Sequence, residues 1–75
     1  MTNRQHEAVL ELNNWVRRGG TATNFTALLY TLIAKADWEN SEKLRIAFPE
    51  EVWAYDKWMG LTAQEAEEFL TGAKP

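Results

Sequence analysis

An all-α bundle of four to five short helices is the fold this sequence predicts, and three observations point there. Apolar residues recur at three- and four-residue spacing through most of the chain. Glycines and capping residues divide that pattern into segments of helical length. No stretch alternates apolar with polar residues between strand-type ends, so no sheet is expected. Seventy-five residues leave room for a single domain, residues 1–75, with one modest core.

The elements follow in order. Asn3 is placed to cap a first helix running to about Arg18, where Gly19-Gly20 stops it. Ala8, Val9, Leu12, Trp15 and Val16 share its apolar face. Thr23 or Asn24 caps a second helix from Phe25 to about Ala36, with Phe25, Leu28, Leu29, Leu32, Ile33 and Ala36 in register. Asp37 ends that helix and caps a third, from Trp38 to about Ala47. Phe48-Pro49 marks the next boundary: the residue before proline avoids helical angles, while proline suits a first helical position. Glu50 and Glu51 then favour the positive end of a fourth helix, which Gly60 stops. Thr62-Ala63-Gln64-Glu65 reads as a capping box, with Leu61 set to staple onto Ala66, and opens a short fifth helix closed by Gly72.

Composition narrows the setting. Hydrophobic residues form 45% of the chain and include four tryptophans, enough aromatic area to hold a small core. The absence of cysteine excludes disulfides and thiolate metal sites and makes a reducing cytoplasm the expected compartment. The richest apolar run, Phe25 to Ala36, is broken by Thr26, Tyr30, Thr31 and Lys35, so no membrane span is expected. The N-terminus shows no apolar signal region behind its first charge.

Catalytic chemistry is thinly supplied. His6 stands alone among histidines and Ser41 among serines, and His6 is near a fraying end where a rigid catalytic group is not expected. Glu39 with Glu42, and Glu65 with Glu68, each share a helix face, but nothing follows the Glu-x-x-His pattern of di-metal bundles. Gly19-Gly20 follows no strand and is a helix stop rather than a phosphate loop. The expectation is a protein that is not an enzyme and takes neither cofactor nor metal.

Charge argues against nucleic acid. The net charge is −3, and no run clusters the cations that counterion release requires. The alternative reading is a nucleic-acid-binding regulator. It rests on the helix-turn-helix-like pair joined at Asp37, using Arg17, Arg18, Lys43 and Arg45. Glu39 and Glu42 nearly neutralise the third helix, however, and its connection lacks the glycine common in that turn.

Surface pattern says more. The second helix carries one formal charge, Lys35, and its far side reads Ala27, Tyr30, Thr31 and Ala34. Such a helix is either central in the bundle, the favoured expectation, or covered by another copy. In the fourth helix Phe48, Val52, Tyr55 and Met59 form one stripe flanked by Trp58, while Trp53 projects among Pro49, Glu50 and Lys57. A large aromatic on a charged face implies a cover: another helix, a second copy or a partner. With Leu10, Trp38 and Ile46 also off their stripes, the sequence points to a protein-binding module, or one that self-associates. The contact centres on Trp53, with Glu50 and Lys57.

The middle half of the chain resembles short uncharacterised helical proteins of bacteriophages and prophages. The residues that carry the resemblance are Leu32-Ile33-Ala34-Lys35-Ala36-Asp37, Glu39-Asn40, Leu44, Ala47-Phe48-Pro49-Glu50-Glu51-Val52, Tyr55 and Trp58. It implies a bacterial cytoplasm and an accessory role through binding a host or phage protein. It brings no catalytic or binding residue with it. A last expectation concerns stability: Phe48 should fill the angle between the third and fourth helices beside Leu44, Val52 and a second-helix residue such as Leu29 or Leu32, so Phe48→Ala should largely unfold the domain while Trp53→Ala stays folded and loses partner or self-association.

Overall fold

In the computed structural model, which describes residues 1–21 and 23–72, five helices follow one another. They are α1 (Asn3–Arg17), α2 (Phe25–Lys35), α3 (Trp38–Ala47), α4 (Pro49–Met59) and α5 (Ala63–Thr71). No strand occurs among the described residues. The helices begin where side chains satisfy the first free amides. Asn24 accepts from the Ala27 amide at 3.0 Å and Asp37 from that of Asn40 at 2.9 Å. Thr62 and Glu65 close a reciprocal box at 3.0 and 3.2 Å.

The first cap lies one residue earlier than expected, at Thr2. Its hydroxyl accepts from the Gln5 amide at 3.0 Å, and the Gln5 side chain accepts from the Thr2 amide at 2.8 Å. Asn3 would have His6 three residues on, which offers no such return bond. Gly19 and Gly20 adopt left-handed backbone at φ 61° and 78°, conformations that side-chain-bearing residues rarely take, and so end α1. Phe48 belongs to two helices at once. Its amide donates to the Leu44 carbonyl at 2.6 Å, and its carbonyl accepts from the Val52 amide at 3.1 Å.

The central helix is α4, which packs against each of the other four. Ala54 and Val52 are fully enclosed there, together with Ala8 and Leu12 of α1 and Phe69 and Leu70 of α5. An aromatic group anchors one side of this core. The Trp15 ring lies 6.0 Å from Tyr30 and makes edge contacts with Tyr55 at 6.2 Å and Trp58 at 6.3 Å. Such pairs add roughly 0.5–1.5 kcal/mol each beyond their burial. The expected face of α1 holds: Ala8, Val9 and Leu12 are buried, and Trp15 and Val16 pack against the core.

α2 departs from expectation on both counts. It is not the central helix, and it is turned so that Ala27, Leu29, Tyr30 and Ile33 are buried. The cause is a set of polar anchors on α1 that apolar periodicity does not register. The Tyr30 hydroxyl donates to the Ala8 carbonyl at 2.7 Å, inside the core. Trp15 Nε1–H donates to the Thr31 hydroxyl at 3.0 Å, and that hydroxyl donates to the Ala27 carbonyl at 3.2 Å. Tyrosine and threonine therefore face inward with their hydrogen bonds satisfied. Phe25, Leu28 and Leu32 face out.

Candidate interaction surface

The expected centre of the site, Trp53, does not stand outside the core. It is half-buried against the core cluster, its ring edge-on to Phe69 of α5 at 6.0 Å. On the face opposite the main stripe of α4, α5 covers Trp53 but leaves the helix open at Lys57. Glu50 lies half-buried at a cleft with Arg4, Glu7, Glu11 and Glu51, and Lys57 is exposed. These three residues share a helix stripe but meet three different surroundings.

The open apolar surface is on α2. Phe25, Leu28 and Leu32 retain 70%, 54% and 54% of their accessible area. Advancing roughly 100° per residue, they fall within an arc of about 60°, one continuous stripe. The Phe25 ring reaches Phe48 at 6.1 Å, where the end of α3 returns beside the start of α2. Away from that ring contact, α2 and α3 flank a groove of about 210 Å³, lined by Leu32, Lys35, Ala36, Asn40, Lys43 and Leu44. Trp38 and Ile46, 80% and 85% exposed, lie on the far side of α3 with Glu42 between them. The sequence held one sign of this stripe: α2 is apolar around its whole circumference, so one face must be open unless the helix is central.

Ion pairs occupy most of the cations proposed for nucleic acid. Arg17 pairs with Glu67. Arg45 bonds Glu42 and Asp56, both at 3.0 Å, and these bonds hold its guanidinium above its ordinary pKa. Lys43 lies 3.8 Å from Glu39. Arg17 and Arg45, tied to carboxylates on the same surface, make a weak phosphate-binding field, and Lys43 keeps only a long, solvated contact with Glu39.

Little converges that could do chemistry. Apart from Tyr30, whose hydroxyl is bonded to Ala8, no polar or charged side chain is buried, and no three His, Cys, Asp or Glu side chains group as metal ligands, among the described residues. Glu39 and Glu42 face Lys43 and Arg45, and Glu65 serves the α5 cap. The Tyr30 phenol is pushed up in pKa by burial, with Glu51 and Glu11 adding to the effect, so it stays protonated. No described helix is long and apolar enough to cross a membrane. The fold and surface thus define a five-helix domain with an uncovered apolar face on its second helix. Compared with family models, curated proteins and solved structures, the chain matches none.

Proposed function

We propose that the protein is a non-enzymatic binding module whose contact surface is the outward face of α2, acting on a protein partner. The resemblance to phage and prophage proteins supplies the context, an accessory role in a bacterial cytoplasm. The observation that carries the reading is the stripe of Phe25, Leu28 and Leu32, left open on a helix whose other face is fully engaged. A contiguous apolar stripe costs solvation free energy while exposed and returns it on docking, at roughly 25 cal/mol per Å² covered. Its spacing of three and four residues suits helix-to-helix contact.

The reading is tested by comparing the wild-type protein with a Leu28→Glu/Leu32→Glu variant. Both should melt alike, because neither leucine is in the core. A partner retained by the wild type in affinity capture from a bacterial lysate should be lost from the variant. Equal retention by the two proteins would remove α2 as the contact surface. Sedimentation of each at rising concentration shows whether a second copy competes for the same face.

A further inference from the structure

The groove between α2 and α3 is lined by two lysines, Lys35 and Lys43, the latter 3.8 Å from Glu39. Leu32, Ala36 and Leu44 form its apolar floor, and Lys35, Lys43 and Asn40 its rim. No carboxylate lines it, although the chain as a whole carries a charge of −3. The cleft where α1 meets the start of α4 is the reverse, with Glu7, Glu11, Glu50 and Glu51 against Arg4. An acidic segment is therefore repelled by that cleft and attracted by the groove.

Size and shape restrict the occupant further. A volume of about 210 Å³ falls below the roughly 300–1,000 Å³ typical of small-molecule sites. It suits one or two inserted side chains. The floor continues from Leu32 through Leu28 to Phe25, a track of roughly 10 Å at 1.5 Å per residue. An elongated occupant of about two helical turns matches that length. A second copy presenting the same face would bring a rim of the same charge, which opposes self-pairing here. Lys43 is free to change partner, since its contact with Glu39 is long and both side chains are largely solvated.

From these features we infer that the groove receives an amphipathic helix with acidic flanks. Its apolar side chains seat on Leu32 and Leu44, and its carboxylates meet Lys35 and Lys43. The inference rests on the reading of α2 as a contact face and adds the chemistry of the partner.

The test selects from a displayed library of helical peptides. Each carries leucine at three- and four-residue spacing, and the flanking positions are randomised among Glu, Gln and Lys. Against the intact protein, selected flanks should favour Glu over Lys by roughly fivefold, as two solvated ion pairs allow. Added salt should erode that preference. A Lys35→Glu/Lys43→Glu variant should reverse it. Selection of peptides with no charge preference, or with Lys flanks, overturns the acidic partner; if their binding is still lost in Leu28→Glu/Leu32→Glu, the α2 reading survives alone. Failure to select any peptide sensitive to that double substitution overturns both. Formation of a dimer abolished by the same substitution would replace the acidic helix with a second copy.

Discussion

Leu29 and Leu32, about one turn apart on α2, should respond unequally to substitution, and the size of the difference follows from burial. Leu29 is 6% exposed among Tyr30, Ile33 and the helices behind them, whereas Leu32 is 54% exposed beside the groove. Removing a buried leucine to alanine costs about 2–5 kcal/mol, the transfer term plus the cavity left behind. A domain of this length has roughly 5 kcal/mol in total, so Leu29→Ala takes away a large part of its stability. At roughly 4–8 °C per kcal/mol for a chain this size, the melting temperature should fall by at least about 8 °C. Leu32→Gln alters a solvated position and should change stability by no more than about 0.5 kcal/mol. Thermal melts followed by circular dichroism, run at several protein concentrations, separate these values from any effect of association. If Leu32→Gln melts as early as Leu29→Ala, α2 is turned the other way and the proposed contact surface is core.

Two further outcomes test the interior. Tyr30→Phe removes the hydroxyl bonded to Ala8 and should cost about 1 kcal/mol in denaturant unfolding. Because burial raises the Tyr30 pKa in the folded state, its neutral phenol supports folding fully below the ordinary tyrosine pKa of about 10. That support is lost as pH rises above it. Alkaline unfolding should therefore move to higher pH in Tyr30→Phe relative to its own neutral stability, and an unmoved midpoint would contradict the buried phenol. Trp53→Ala strips the partner of Phe69 and should cost about 2 kcal/mol, less than a fully buried tryptophan. Against a total of roughly 5 kcal/mol the variant stays folded but melts earlier than the wild type, and an unchanged melt would return Trp53 to the surface.

What the sequence determined by itself is local. Asn24, Asp37 and the Thr62–Glu65 pair act through amides within three residues, so their helix starts could be read from order alone. The face of α1 was equally legible, because charged and apolar residues divide around that helix. Tertiary structure decided the rest. Periodicity assigns an angle to each residue of α2 but not the neighbour that meets it, and a helix apolar on every side leaves its buried face undetermined. Hydrogen bonds from Tyr30 to Ala8 and from Trp15 to Thr31, across sixteen or more positions in the chain, made that choice. The same holds for Trp53. Its place on the fourth helix was readable, but its cover, Phe69, became its neighbour only when α5 folded back onto α4. A side chain's direction is set by its own backbone, and its burial by elements that reach it from elsewhere in the chain.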